Sequence, residues 1–141
     1  MTINEIQDEI VDEFVIFDDW MDRYSYLIEL GNELEDMAID RKSDQTLIEG
    51  CQSKVWIDAE VKDGIIYFYA ESDALIVKGI VALLLRVFSG QPLKEVVASE
   101  LYFIDKIGLS SHLSPTRSNG LLSMIKQMRL YAIAFNAKAQ Q

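Results

Sequence analysis

Between Ala74 and Phe88 the chain is apolar nearly all round, broken only by Lys78, Gly79 and Arg86. A helix without a polar face must be surrounded, so this stretch predicts the buried centre of the fold. It is too short to span a bilayer, and two charges interrupt it. Gly79 costs about 1 kcal/mol against alanine inside a helix, and its presence there points to close packing with a neighbour. Ser72 is positioned to cap this helix, with Asp73 in its first turn.

The flanking segments supply what surrounds it. Ile6, Ile10, Val11, Phe14 and Phe17 recur at helical spacing over residues 3–17, and Thr2 with Glu5 forms a capping box. A second helix is expected from Asp19 to about Leu34, with Trp20, Tyr24, Leu27 and Ile28 on its apolar face and an antiparallel packing against the first. Residues 37–46 read as a polar connection. Lys54 to Val61 alternates apolar and polar, Lys62-Asp63-Gly64 signals a hairpin, and Ile65 to Ala70 reads as a second strand, apolar on both faces. Leu47 and Ile48 are candidates for a short third strand, since an isolated hairpin is marginal. Ser89-Gly90 ends the central helix, and Pro92 opens a short one through Ala98. Helical turns are expected within 101–109. Ser114 and Pro115 start a long amphipathic helix carrying Leu121, Met124, Ile125, Met128, Tyr131, Ala132 and Phe135 on its apolar stripe. The order of elements predicts an α+β fold, helices packed on a small antiparallel sheet, with residues 1–141 forming one domain.

Charge and cysteine usage narrow the function. The net charge is −10. Residues 1–36 hold twelve acids and one base, while the remainder is nearly balanced. Nucleic acid is an unsuitable partner for such a surface, because phosphate binding requires a basic patch. The acidic segment reads first as a solvated face, and second as a surface that steers toward a basic partner. One cysteine cannot form an internal disulfide, and the N-terminal residues lack the pattern of a secretory leader. A soluble cytoplasmic protein with no membrane partner is expected.

That cysteine, Cys51, sits in Leu47-Ile48-Glu49-Gly50-Cys51-Gln52-Ser53-Lys54-Val55-Trp56. It follows a glycine and precedes polar residues, on a turn between patterned segments rather than inside an apolar run. A thiol placed so is available to a partner, and bases such as Lys54, Arg41, Lys42, Lys78 or Arg117 would favour its thiolate. A small buried residue without function is the other reading. His112, the only histidine, would complete a cysteine hydrolase; it reads more simply as a histidine that hydrogen-bonds locally near a helix start. Arg117 and Asn119 lie in the first turns of the last helix, where anions bind, and Arg117 could pair with Asp73 or with a partner's acid. One cysteine and one histidine fall short of a structural zinc set, and no metal site is expected. No phosphate-binding glycine loop is present.

Three stretches together resemble one family. Ile48-Glu49-Gly50-Cys51-Gln52-Ser53-Lys54-Val55-Trp56, Ser72-Asp73-Ala74-Leu75-Ile76-Val77-Lys78-Gly79 and His112-Leu113-Ser114-Pro115-Thr116-Arg117-Ser118-Asn119-Gly120-Leu121 look like the SufE family of sulfur acceptors in iron–sulfur cluster assembly, with Gln52-Ser53 favouring SufE over its relative CsdE. The resemblance implies a fold similar to the IscU-type scaffold. It implies a sulfur carrier and activator rather than a stand-alone enzyme, one that takes persulfide sulfur onto Cys51 from a SufS-type cysteine desulfurase and passes it to a SufBCD-type scaffold. The pyridoxal phosphate belongs to the desulfurase, and no cofactor is expected in this chain. Gly50, as hinge, and Gln52 and Ser53 would support the loop; Asp73, Lys78, Arg117 and His112 would brace it or dock the partner. A non-covalent adaptor, with Cys51 incidental, is the remaining alternative. No separate stripe marks a homodimer interface, and that state stays open.

Overall fold

A computed structural model describes residues 1–48 and 53–139, in which seven helices and a small antiparallel sheet enclose one apolar core. Glu49, Gly50, Cys51 and Gln52 lie outside the described residues.

Helix α1 spans Ile3–Phe14 and α2 spans Trp20–Asn32. The capping box forms as expected, Thr2 accepting from the Glu5 N–H at 3.1 Å and Glu5 accepting from the Thr2 N–H at 3.0 Å. Asp19 caps α2 through the Met21 N–H. Helix α1 stops at Phe14 rather than continuing to Phe17, whose N–H bonds to the Phe14 carbonyl in a tighter turn. Gln7 occupies the apolar face of α1 and is fully buried. Its amide donates to the Glu100 carbonyl and accepts from the N–H groups of Tyr102 and Phe103, which offsets the cost of burying it.

Strands β1 (Val55–Lys62) and β2 (Ile65–Ser72) form a hairpin in which Lys62 faces Ile65. The two residues between them, Asp63 and Gly64, have φ of 55° and 78°, the pair of positive values that a two-residue turn matched to strand twist requires. Ile66, Phe68, Ala70 and Ser72 point into the core, while Tyr67 and Tyr69 lie on the outer face, so β2 is buried on one side rather than on both. The third strand is β3, Gln91–Pro92, paired with Ile65 and Ile66. The expected strand at 47–48 is reduced to a single bridge, Leu47 opposite Trp56.

Helix α3 (Leu75–Phe88) is the centre, as its composition dictates, with Ile80, Leu84, Val87 and Phe88 almost wholly buried. The antiparallel packing expected between α1 and α2 gives way to packing of α2 on α3. A Cβ on Gly79 would lie 2.1 Å from the Leu27 carbonyl oxygen, and one on Gly31 would lie 2.8 Å from the Gly79 N atom. Two glycines therefore let the backbones of α2 and α3 touch, a stronger determinant than the apolar stripe of α1. Helices α4 (Leu93–Ala98), α5 (Phe103–Lys106) and α6 (Leu109–His112) lead to α7 (Pro115–Ala139), whose Met124, Met128 and Ala132 close the core. Tyr131 donates from α7 to the Ile57 carbonyl at 2.9 Å, tying that helix to β1.

Candidate functional site

The residues on either side of Cys51 are held by backbone pairing. Before it, the Ile48 N–H donates to the Val55 carbonyl at 2.8 Å, and the Ile57 N–H donates to the Thr46 carbonyl at 2.9 Å. After it, the Lys54 N–H donates to the Asp73 carboxylate at 3.0 Å, and the Asp73 N–H donates to the Lys54 carbonyl at 3.2 Å. Both flanks of the segment, up to Ile48 and from Lys54, are thus fixed to the hairpin.

Asp73 acts differently from the sequence expectation. The N-cap position of α3 is Ala74, with no side-chain cap, and Ser72 belongs to β2. The Ser72 hydroxyl accepts from the Ala74 N–H at 3.3 Å. Asp73 lies between strand and helix with its carboxylate turned to Lys54, so its oxygen serves the flank of the cysteine segment rather than the first turn of α3.

A cavity of about 90 Å³ opens beside Ser53. Ser53 lines it from two residues before β1, Val55 from the first residue of β1, Val77 and Ile80 from α3, and Thr116, Arg117, Gly120 and Met124 from α7. Its floor is apolar and its mouth polar. Ser114 caps α7 as expected, accepting from the Arg117 N–H at 3.3 Å. That start points Thr116 and Arg117 at the cavity, and Gly120 and Met124 follow at helical steps. The expected pair between Arg117 and Asp73 does not form, and Arg117 has no ion pair among the described residues. An exposed guanidinium at the polar mouth of an apolar cavity, at the positive end of α7, suits an incoming anion or a partner's carboxylate.

Lys78 takes the other side of α3. Its Cβ faces Gly31 of α2, while its neighbours Val77 and Ile80 face the cavity. His112 is also apart from the cavity lining. Its ring stacks on Trp20 at 3.8 Å, Nδ1 meets the Gly108 carbonyl at 3.0 Å, and its own carbonyl accepts from the Tyr24 hydroxyl at 2.7 Å. These contacts match the local hydrogen-bonding reading and fix the turn that leads into Ser114. Ser53 and Arg117 are thus brought together, Asp73 braces the adjoining flank, and Lys78 and His112 serve elsewhere. Gly50, Cys51 and Gln52 lie outside the described residues. Sequence reasoning missed the cavity lining of Val77, Ile80, Thr116, Gly120 and Met124, though their three- and four-residue steps were there to read.

A second cluster holds the approach to the segment. Arg41 pairs with Asp58 at 2.9 Å and Glu60 at 3.0 Å and covers the Tyr69 ring at 3.9 Å. Lys42 reaches Glu71 at 2.6 Å and lies over the Trp56 ring at 4.4 Å. The Glu71 carboxyl is held below its ordinary range, first by Lys42 and then by the Met37 N–H. Among the described residues, no cluster of histidine, cysteine, aspartate and glutamate side chains could hold a metal ion, and no helix is long and apolar enough to cross a membrane.

Comparison with known proteins gives the family and the fold. An uncharacterized SufE-like protein of Rhizobium etli is 43% identical over 127 residues, covering 86% of each chain. One from Rhizobium meliloti is 41% identical over 127 residues, covering 86% of this chain and 91% of the relative. The solution structure of a hypothetical protein from Thermus thermophilus superposes with a TM-score of 0.75 over 92% of this chain and 94% of its own, at 18% identity, and so shares the fold. The model of the SufE Fe–S metabolism associated domain matches residues 8–132, and the chain belongs to that family.

Proposed function

We propose that the protein accepts sulfur on Cys51 from the persulfide of a pyridoxal-phosphate-dependent, SufS-type cysteine desulfurase, and passes it to a SufBCD-type iron–sulfur scaffold in the cytoplasm. The Cys51 thiolate attacks the terminal sulfur of the donor persulfide. The new bond joins Cys51 Sγ to that sulfur, the donor's own S–S bond breaks, and the donor leaves as a thiolate. Nothing is oxidised or reduced overall, so no cofactor is required in the acceptor. The same exchange in reverse order delivers the sulfur to the scaffold.

The observation that carries this reading is the double anchoring of the segment that contains the only cysteine. The Asp73–Lys54 pair fixes one flank and the Ile48–Val55 bond the other. The second flank, at Ser53, borders a cavity whose mouth carries Arg117, a cation without an ion pair among the described residues. Arg117 docks the desulfurase through an acidic residue, and the apolar cavity offers the persulfide shelter from oxidation. The role is that of a carrier and activator rather than a stand-alone enzyme.

Desulfurase turnover with and without the protein tests the proposal. Stimulation is expected from the natural chain and not from Cys51→Ser of equal thermal stability. Full stimulation by Cys51→Ser would favour a non-covalent adaptor. Hydrolysis of acyl substrates by the protein alone, lost in Cys51→Ser and His112→Ala, would favour a hydrolase.

A further inference from the structure

Helix α7 borders two recesses on different faces. Arg117, Gly120 and Met124 face the cavity beside Ser53, while Ser118, Leu122, Ile125 and Arg129, at three- and four-residue steps, face a groove of about 400 Å³. Leu101 and Ile104 form its other wall. Leu122 is 65% exposed there, and Leu101 and Ile125 are half-buried. Apolar side chains grouped in this way on a surface mark a place where another molecule lies.

The two ends of the groove carry opposite charges. Ser110 of α6 donates to the Asp105 carboxylate at 2.6 Å, and α6 leads directly into α7, so Asp105 lies at the Ser118 end. Arg129 stands about three turns further along α7, roughly 16 Å at the helical rise. Neither Asp105 nor Arg129 has an ion pair among the described residues. Arg129 rests over the Phe88 ring instead, 6.0 Å from its centre. The long wall is an α-helix with its backbone groups bonded internally, so it presents side chains and no open strand edge. An extended segment laid there would bury backbone groups without partners, whereas a helix brings its own bonds. A small zwitterion is too short to touch both charges.

We propose that this groove binds an amphipathic helix of another protein, running antiparallel to α7. Its apolar side chains, at three- and four-residue steps, lie against Ile104, Leu122 and Ile125. Acidic residues in its first turns meet Arg129, and basic residues in its last turns meet Asp105. This direction places acids and bases at the helix ends that favour them, and sets its macrodipole against that of α7. The proposal does not depend on sulfur transfer.

The test is titration of isotope-labelled protein with a terminally blocked, alanine-based peptide of about sixteen residues, long enough to be partly helical. It carries leucine at three- and four-residue steps, glutamate in its first two turns and lysine in its last two. The Leu122 and Ile125 methyl resonances should shift on binding, and a spin label at the peptide's N-terminus should broaden resonances near Arg129 rather than near Ser118. Leu122→Asp should weaken binding at least tenfold with unchanged thermal unfolding, because Leu122 is exposed. Arg129→Gln should weaken binding of this peptide about threefold, and should not weaken binding of one whose glutamates are glutamines. The proposal is overturned by no binding at millimolar peptide, by binding that leaves the Leu122 and Ile125 methyls unmoved, or by broadening near Ser118. A dimer in sedimentation that Leu122→Asp dissociates would overturn it too, by placing a second copy in the groove.

Discussion

Asp73 holds Lys54 by both of its peptide groups, accepting from the Lys54 N–H at 3.0 Å and donating its own N–H to the Lys54 carbonyl at 3.2 Å. The residue that separates β2 from α3 is thereby joined to the residue that returns the cysteine segment to the sheet. Asp73→Ala should lower stability by about 1 kcal/mol, the usual net value of one such bond. The Lys54 amide should exchange faster in native-state hydrogen exchange, while Asp73→Asn, which keeps the acceptor oxygen, should leave it protected. Equal protection in Asp73→Ala would show that the backbone pairing alone holds this flank.

Gly79→Ala should be among the most damaging single-methyl additions in the chain. The new Cβ would meet the Leu27 carbonyl oxygen at 2.1 Å, and backbone cannot rotate aside. A loss of about 3 kcal/mol is expected, the upper end for overpacking. Gly64→Ala, with nothing within 4 Å and only its φ of 78° to oppose it, should cost about 1 kcal/mol. Urea denaturation of the two variants measures the difference.

That contrast shows what could be read from the residues before the fold was known. A glycine inside an otherwise apolar helix signalled contact, and Thr2 with Glu5 and Asp63 with Gly64 announced a cap and a turn by local chemistry alone. Distant partners were not legible. Gln7 lies in an apolar stripe and is satisfied by Glu100, Tyr102 and Phe103, which are far along the chain. Strand β3 is two residues long and contains a proline, so neither alternation nor propensity could mark it. Ser72 and Asp73 fit a helix cap by composition, yet the hairpin register carries β2 through Ser72 and turns Asp73 toward Lys54. At the candidate site, Arg117 was visible as a cation at a helix start. The cavity behind it needs Ser53, Val77 and Gly120 from three separate elements.

Acid should weaken the fold through two carboxylates. Lys42 first, and then the Met37 N–H, lower the Glu71 value; Arg86 is the main cause at Glu13, with Tyr26 contributing. A lowered folded-state value stabilises the protein above the ordinary carboxyl value of 4.5, and this contribution is lost as pH falls through the folded-state value. Stability from chemical denaturation should therefore drop between about pH 5 and 3, and Lys42→Met should make that drop shallower. An identical slope in the variant would remove Glu71 from the account.

Arg117→Glu should separate docking from folding. Arg117 is exposed and has no ion pair among the described residues, so stability should change by less than about 0.5 kcal/mol. Affinity for the desulfurase should fall about tenfold by calorimetry, as for a charge at an interface rim. Unchanged affinity would place the docking surface away from the cavity mouth.

The central claim is that Cys51 carries the sulfur. Intact-mass spectrometry after incubation with a cysteine desulfurase and free cysteine, without reductant, tests it most directly. The account predicts a gain of about 32 Da, one sulfur atom, that is reversed by a thiol reductant and absent in Cys51→Ser. No gain with an active desulfurase, or an equal gain in Cys51→Ser, would contradict it.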